Sequence, residues 1–391
     1  MTKANRWLLP DGVDEILPPQ ANRLESLRRD ILDLYSTWGY ELVMTPLIEF
    51  LDSLLILPSA ELQLQTFKIV DQLTGRGMGV RADITSQVAR IDSHVLQHDA
   101  PTRLCYADSV LHTRPQSLLG SRSPLMIGAE LYGYEGIESD IEIITLMLLT
   151  LEKAGIASPQ LALGHVGIYK ALIRDAELGA ELEQKLFEAL QRKSTGEIDQ
   201  LLSASNKKLA QNLKTLSTLH GDASVLARAA RDIKSQNKAI STSLAQLRQV
   251  SDAISKRFPQ QSLYYDLAEM RGYEYHTGVV FAAYIGGFGE AIANGGRYDD
   301  IGEGFGRARA ATGFNADLKT LLALGKREFT AAKKIYAPAG TDAALQQAIA
   351  ELRAAGDSVV QAFAGQSEAA SEMGCDHELV KKGGKWQVKP L

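Results

Sequence analysis

The spacing of apolar residues near the N-terminus predicts an amphipathic helix followed by a broken strand. Between Gln20 and Trp38 the apolar positions fall three and four apart, at Leu24, Leu27, Ile31, Leu34, Tyr35 and Trp38. This spacing places them on one face of a helix, which Gly39 is suited to end. The next stretch, YELVMTPLIEF, reads as a strand but contains Pro46. Because proline has no backbone N–H, we expect this strand at a sheet edge or an interface.

The following segments predict antiparallel hairpins and an apolar helix. TFKIVD and VRADIT flank the turn LTGRGMG, and a helix through SQVARIDSHVL comes next. Two long strands are predicted for RLCYADSVLHT and PLMIGAELYGY, which are joined by a polar loop, and SDIEIITLMLLTLEKAG predicts a buried helix. Hairpins with helices on one side favour an α+β fold over a Rossmann fold.

The pattern changes twice in the second half of the chain. Helix formers dominate residues 167–257, so we predict a helical insertion whose charged runs are solvated faces. Strand character returns in SLYYDLAEMRGYEYHTGVVFAAYI. We therefore predict one core domain from residues 1–166 and 258–330, and a short C-terminal α/β domain over residues 331–391.

Composition excludes several classes of protein. With 391 residues the chain is long enough for two or three domains, and no segment reaches the ~18 consecutive apolar residues of a membrane span. The start, MTKANRWLLPDGVDEILPP, lacks the apolar centre of a signal peptide, so we predict a cytoplasmic protein. Cys105 and Cys375 have no metal-binding spacing, and we predict neither metal nor cofactor. The net charge of −5 gives no general attraction for nucleic acid.

Several polar residues lie where predicted strands end or helices begin. Asp83 and Thr85 precede a helix, Glu130 lies within an apolar strand and Arg271 lies between two strands. Each has an ordinary interpretation, as a helix cap, a solvent-facing carboxylate or a surface ion pair. Together they could bind a zwitterion: carboxylates and a hydroxyl for its ammonium, and an arginine for its carboxylate. The glycine-rich stretches GGFGE and NGGRYD match neither a P-loop nor a dinucleotide motif and are interpreted as turns.

The order of motifs resembles the catalytic domain of histidyl-tRNA synthetase. RADIT, RPQ, AELYG with SDIEII, MRGYEYHTG and NGGRYDD carry this resemblance, which covers most of residues 5–330. It implies an α+β fold with a class II aminoacyl-tRNA synthetase-like antiparallel sheet of six or more strands, flanked by helices. It also implies a set of histidine-binding positions, namely Asp83, Thr85, Met126, Glu130, Arg271, Tyr275, His276 and Tyr298.

The resemblance assigns a part of histidine to most of these positions. Asp83 and Thr85 would face the amino group, and Arg271 the carboxylate. Glu130 would lie near the imidazole, with either Tyr275 or its neighbour His276. Tyr298 would form the pocket wall. Met126 and His276 depart from the synthetases, which place an amide and a tyrosine there.

The positions that bind ATP in the synthetases, called here the nucleotide side, differ further from this chain. Where they carry F-R-x-E-R-P-Q, this chain reads SVLHTRPQ, so Leu111 and Thr113 replace the arginine and glutamate that hold ATP. The second ATP-binding arginine, in a pattern like G-L-E-R-L, is replaced by Thr320, and Lys319 next to it points to another helix face. Adenylate formation depends on cations that stabilise the transferring phosphoryl group. We therefore predict that the chain forms no adenylate.

Because it lacks the two ATP-binding arginines and has a short tail, the chain resembles the regulatory-subunit family of ATP phosphoribosyltransferase. That resemblance implies a non-catalytic protein that binds histidine for feedback inhibition of the first step of histidine biosynthesis. It implies partnership with, and activation of, a short-form catalytic subunit, with a homodimer inside a hetero-oligomer, for which we predict a hetero-octamer. Neither a membrane nor tRNA is an expected partner. Two alternatives stay open: a divergent histidyl-tRNA synthetase, and a module that senses histidine or tRNA.

Overall fold

The computed structural model describes residues 7–56, 60–115, 120–176, 178–202, 206–269, 275–329, 333–366 and 368–391. The chain divides into two compact units, Met1–Arg327 and Glu328–Leu391. The finer division predicted from the sequence, with a separate helical insertion, stays a prediction.

The first unit is built around a large sheet. The strands of the first unit are β1 (Glu41–Leu42), β2 (Ile48–Phe50), β3 (Phe67–Val70), β4 (Gly77–Val80), β5 (Thr102–Ser109), β6 (Leu125–Tyr132), β7 (Gln160–His165), β8 (His220–Gly221), β9 (Ser262–Asp266), β10 (Val279–Tyr284), β11 (Ala293–Arg297) and β12 (Ala311–Asp317). In the described part of the chain, nine strands form this sheet in the order β1-β5-β6-β12-β11-β10-β7-β9-β8. All pairings from β5 across to β7 are antiparallel. Parallel pairs, β1 with β5 and β7 with β9, lie toward the two edges.

Pro46 lies between β1 and β2, so the broken strand predicted from the sequence is two strands. β1 joins the large sheet, whereas β2 pairs with β4 in a small sheet of order β2-β4-β3. A hairpin of β3 and β4 is present, but its predicted second strand is wrong: β4 begins inside the predicted turn LTGRGMG, because the turn closes early through the Asp71 N–H and the Arg76 carbonyl, and only Val80 of VRADIT is in the strand. A proline cannot donate a ladder hydrogen bond, which explains why pairing changes partner there.

Helices flank the large sheet. They are α1 (Gln20–Thr37), α2 (Leu51–Leu54), α3 (Ala60–Gln65), α4 (Thr85–Arg90), α5 (Ile137–Lys153), α6 (Val166–Arg174), α7 (Ala180–Gln191), α8 (Thr195–Leu201), α9 (Lys207–Ser217), α10 (Ser224–Asp232), α11 (Lys238–Arg257) and α12 (Leu318–Leu324). A π-helical segment, Ile91–Leu96, continues α4. The predicted α1 is confirmed, and it buries Leu24, Leu27, Ile31 and Tyr35. Helices α6 to α11 lie where the sequence predicts the helical insertion.

Packing of apolar side chains between the sheet and its helices fixes the central strands. The apolar helix α5 buries most of its length, including Ile143, Ile144 and Met147, and contacts β12, α1 and α11. On a region of sheet formed by β5, β6 and β12, a second group of buried side chains includes Ile84, Val88, Leu104 and Tyr132. Each such side chain contributes ~1.5–3 kcal/mol by leaving water. The middle of β6 and β12 is therefore a rigid platform.

The second unit is a small α/β unit with its own core. Its elements are β13 (Lys334–Ala337), α13 (Ala343–Ala354), β14 (Ser358–Gln361), β15 (His377–Lys382) and β16 (Lys385–Pro390). Its strands lie in the order β14-β13-β15-β16. The buried core comprises Ile335, Ala337, Leu345, Ile349, Val359 and Leu379. The predicted small α/β unit is confirmed. Among the described residues of the whole chain, no helix is both long and apolar enough to cross a membrane.

Candidate functional site

The carboxyl group of Glu130 lies at the centre of a buried group of hydroxyls. Thr85 Oγ1 and the Tyr106 hydroxyl donate to Glu130 Oε1 at 3.0 and 3.2 Å. The Tyr298 hydroxyl donates to Oε2. Glu130 itself is only 1% exposed. We call Thr85, Tyr106, Glu130 and Tyr298 the Glu130 cluster.

Four separate elements bring the Glu130 cluster together. Glu130 points from the middle of β6, and Tyr106 from the neighbouring β5. Thr85 is the first residue of α4, and Tyr298 directly follows β11. Since β5 and β11 lie on opposite sides of the β6–β12 pair, only the assembled sheet places these hydroxyls around one carboxyl group.

Glycines on neighbouring strands make room for the cluster. Gly313 on β12 lies opposite Glu130, and Gly296 on β11 lies opposite Gly313. A Cβ atom on Gly313 would overlap Glu130 Oε2 and lie 2.7 Å from the Tyr298 hydroxyl. One on Gly296 would lie 2.9 Å from His276 Nε2. In-register residues share a sheet face, so these glycines lie on the face of Glu130 and leave room for its carboxyl group and for the His276 ring.

Burial gives the carboxyl groups of this site unusual pKa values. Burial, and then the nearby charge of Asp83, raise the pKa of Glu130 from 4.5 to about 8 against the opposing hydrogen bonds of its hydroxyl partners. Burial also raises the pKa of Asp83, although hydrogen bonds from the N–H groups of Ile84 and Thr85 oppose it. The pKa of Tyr298 lies well above its usual range, chiefly through burial, so its hydroxyl stays a donor. A cation entering the site would favour the ionised form of both carboxyl groups.

Aromatic rings border the cluster on the β11 side. The rings of Tyr275 and His276 lie 4.4 Å apart, and the His276 ring lies 6.4 Å from that of Tyr298. Tyr275 is 39% exposed, whereas His276 is buried. The next residue, Thr277, donates through Oγ1 to Asp299 at 3.1 Å. The site thus has an exposed aromatic rim and a buried polar centre.

The structure joins some predicted site residues directly and leaves one outside. Thr85 and Tyr298 both donate to Glu130, while Asp83 acts on Glu130 through its charge. Met126 lies on the same face of β6 as Glu130, four residues earlier, and is partly buried. Arg271 lies outside the described residues.

Sequence reasoning missed Tyr106 and Gly313. Tyr106 lies opposite Gly128 in the β5–β6 pairing, and a Cβ at Gly128 would lie 2.5 Å from the Tyr106 hydroxyl. A large residue facing a glycine across two predicted strands is a signal, but it requires the register. The register of Gly313 against Glu130 joins residues 183 positions apart and has no local signal.

Residues 111–115 align with the ATP-binding motif of the synthetases, and here they make hydrogen bonds to other parts of the same chain. The Leu111 N–H donates to the Arg81 carbonyl at 3.1 Å, and the Thr113 N–H to the Gln65 carbonyl at 2.9 Å. Thr113 Oγ1 donates to the Leu64 carbonyl at 2.5 Å. Arg114 is exposed. Gln116, which completes the predicted motif, lies outside the described residues.

At the start of α12, the residues at the second position aligned with an ATP-binding arginine also contact other residues of the chain. Thr320 Oγ1 donates to Asp317 at 2.8 Å, within the N-terminal turn of the helix. Lys319 pairs with Asp14 at 3.1 Å, and Ser121 also donates to Asp14 at 3.1 Å. The N-terminal segment therefore contacts both the hairpin loop and α12.

Family comparisons match both units. The histidyl-tRNA synthetase family matches residues 12–321, and the ATP phosphoribosyltransferase subunit HisZ C-terminal domain matches residues 332–389. A protein of Stutzerimonas stutzeri named ATP phosphoribosyltransferase regulatory subunit is 51% identical over 393 residues, covering 100% of both chains. Its namesake in Thioalkalivibrio sulfidiphilus is 51% identical over 395 residues, again covering 100% of both.

Solved structures give the same result for the fold. A Bacillus halodurans protein described as an ATP phosphoribosyltransferase regulatory subunit/histidyl-tRNA synthetase has a TM-score of 0.82 at 25% identity, covering 95% of this chain and 97% of its own. Histidyl-tRNA synthetase from a Nostoc species has a TM-score of 0.79 at 17% identity, covering 98% and 94%. The predicted class II synthetase-like fold is confirmed. By these matches the chain belongs to the ATP phosphoribosyltransferase regulatory subunit family, built on a histidyl-tRNA synthetase fold.

Proposed function

We propose that this protein binds histidine at the Glu130 cluster and transmits feedback inhibition to a catalytic ATP phosphoribosyltransferase subunit. The observation that carries the proposal is a buried carboxyl group, Glu130, with its own hydroxyl donors and a second carboxyl group, Asp83, nearby. Names of full-length relatives at about half identity support the regulatory role.

Histidine has chemical groups that suit each part of this site. Asp83 and Thr85 would take its ammonium, since carboxylate and hydroxyl oxygens accept from cationic N–H groups. Glu130 would accept from an imidazole N–H, with His276 or Tyr275 beside the ring. Tyr298 and Met126 would line the pocket. Arg271, placed by the sequence resemblance alone, would bind the carboxylate.

We further propose that the protein does not form an adenylate. The residues at the two predicted ATP-binding positions, Leu111 and Thr320, carry no positive charge, and Thr113 donates to the backbone. Lys319, the nearest cation at the second position, is paired with Asp14. Without a cation to stabilise the transferring phosphoryl group, adenylation would lose most of its rate enhancement.

Feedback inhibition would require histidine to bind one state of the complex more tightly than another, and the catalytic partner must then change histidine affinity in return.

We propose a homodimer within a hetero-octamer in the cytoplasm. Exposed apolar side chains around Pro46, namely those of Leu42, Met44, Leu47 and Ile48, support a dimer surface there.

Co-purification with a short-form catalytic subunit, followed by activity measurements with and without histidine, tests the proposal. We expect a stable complex whose activity exceeds that of the catalytic subunit alone and falls when histidine is added. A complex insensitive to histidine would contradict the proposed effector.

The match of residues 12–321 to histidyl-tRNA synthetase favours one other function, a divergent synthetase. Exchange of pyrophosphate into ATP in the presence of histidine distinguishes the two. Our proposal predicts no histidine-dependent exchange, whereas robust exchange would establish the enzyme.

A further inference from the structure

Helix α6 contacts the aromatic rim of the histidine site through one lysine. Lys170 Nζ donates to the backbone carbonyl of His276 at 2.6 Å. Lys170 is partly buried, and burial lowers its pKa. A charged donor makes a stronger hydrogen bond than a neutral one, so this contact restrains the backbone at His276.

The same backbone contacts the start of α6 at a second point, next to a histidine that joins α6 to α11. The Val166 N–H, at the start of α6, donates to the Gly278 carbonyl at 3.1 Å. His165 caps α6 by accepting from the Gly167 N–H through Nδ1, while its Nε2 lies 2.9 Å from Gln246 Oε1 on α11. Because burial lowers the pKa of His165 to about 4, its ring is neutral and donates to Gln246 through Nε2.

On its other side, this backbone is attached to the Glu130 cluster. The Thr277 N–H donates to the Arg297 carbonyl at 2.7 Å, and the Asp299 N–H donates to Thr277 Oγ1 at 3.0 Å. Tyr298, which lies between Arg297 and Asp299, donates to Glu130. A displacement at His276 would therefore reach Tyr298 through two hydrogen bonds of Thr277, one made by its backbone N–H and one by its hydroxyl.

We propose that Lys170 is a positioning residue for histidine binding, which couples helix α6 to the Glu130 cluster through His276. This inference rests on the proposed histidine site. Lys170 itself does not touch the cluster; it holds the His276 backbone in the arrangement that the ligand requires. Histidine binding would then stabilise the contact of α6 with His276, and a partner that moves α6 would change histidine affinity.

The test compares histidine affinity, measured by calorimetry, for the wild-type protein and two variants. Lys170→Met keeps the length of the side chain but removes the donor, and we expect roughly tenfold weaker binding, the loss of about one charge-assisted hydrogen bond. Lys170→Arg keeps a cationic donor and should recover most of the affinity. As a matched control, Lys185→Met removes a lysine on α7 that pairs with Glu181 at 2.6 Å, and should leave affinity unchanged.

Hydrogen exchange gives a second measurement, and its first comparison uses the wild-type protein alone. Histidine should slow exchange of the α6 amides in the wild-type protein more than that of the α7 amides. Lys170→Met should reduce this difference. If Lys170→Met does not fold, the wild-type exchange decides by itself, and equal protection of both helices overturns the inference.

The outcomes separate this inference from the proposed function. Absence of histidine binding to the wild-type protein contradicts both. Wild-type binding with unchanged affinity in Lys170→Met contradicts the role of Lys170 and leaves the histidine site intact.

Discussion

Two regions of the first unit differ in what their polar groups contact: the proposed histidine side, at the Glu130 cluster, and the nucleotide side, at the positions aligned with the ATP-binding residues of the synthetases. On the histidine side, hydroxyls from three other elements converge on one buried carboxyl group, Glu130. On the nucleotide side, Thr113 donates to the Leu64 carbonyl of α3, Thr320 donates to Asp317 at the start of its own helix, and Lys319 pairs with the N-terminal segment. The fold thus carries the proposed histidine site at the Glu130 cluster, whereas the described polar groups of the nucleotide side bond to other parts of the protein.

The difference teaches how a binding site can be told from a stabilising contact. A buried carboxyl group with a raised pKa costs stability, because burial disfavours its charged form. Backbone hydrogen bonds of the kind made by Thr113 stabilise the fold and have no such cost. We interpret the carboxyl group of Glu130, whose burial lowers stability, as a group that is retained because it binds a ligand. Four predictions test that contrast.

The largest effect is expected for Glu130→Gln, which keeps the shape of the side chain but cannot take the negative charge that a bound cation would favour. We expect histidine affinity to fall roughly ten- to 100-fold, since a hydrogen bond to a charged group contributes ~1.5–3 kcal/mol. Calorimetry measures the affinity. Glu142→Gln is a matched control, because Glu142 also accepts from a tyrosine, Tyr40, at 3.0 Å. A similar loss of histidine affinity in Glu142→Gln would show that the loss in Glu130→Gln does not come from the Glu130 cluster.

Gly313→Ala should lower both stability and affinity, because a Cβ atom there overlaps Glu130 Oε2. Overpacking of this kind costs about 1–3 kcal/mol, and the displaced carboxyl group would no longer face the ligand. Urea denaturation and histidine titration measure the two effects. Gly286→Ala is the control, since Gly286 is exposed and has no atom within 4 Å of the added Cβ. Wild-type behaviour of Gly313→Ala would mean that the Glu130 carboxyl group can move aside without loss of stability or of histidine binding.

The third prediction concerns pH. The pKa of Glu130 is raised from 4.5 to about 8 on folding, so between these values the unfolded chain ionises while the folded protein keeps the proton. The contribution of this proton to the free energy of unfolding is complete below pH 4.5 and is lost as pH rises toward 8, by up to ~1.4 kcal/mol per pH unit. Glu130→Gln removes it. Denaturation of both proteins from pH 5 to 8 should therefore show the variant gaining stability relative to wild type; parallel curves would contradict the raised pKa.

The smallest effect is expected on the nucleotide side. Thr113→Val removes the hydrogen bond to the Leu64 carbonyl and should cost about 0.5–1.5 kcal/mol of unfolding free energy. Histidine affinity should stay within twofold of wild type. Weaker histidine binding would show that the two sides are coupled and would remove the contrast between them.

Local patterns predicted most of the architecture and part of the site. The helix spacing from Leu24 to Tyr35 and the paired β5 and β6 runs are properties of neighbouring residues, so they could be read directly. Pro46 predicted an interruption, but its consequence, two strands in different sheets, depended on partners far away in the chain. Asp83, Thr85 and Glu130 were found because they stand out as polar residues beside apolar runs.

The sequence by itself determined the fold class, the family and the residue types available to bind a zwitterion, because periodicity and motif order are local properties. Only the tertiary structure decided that Tyr106 and Tyr298 share one carboxyl group, that Gly313 makes room for it and that Lys170 contacts His276. Each of these depends on strand register or helix packing across many residues. A burial-induced pKa shift has the same origin, since it is a property of surroundings rather than of Glu130 alone.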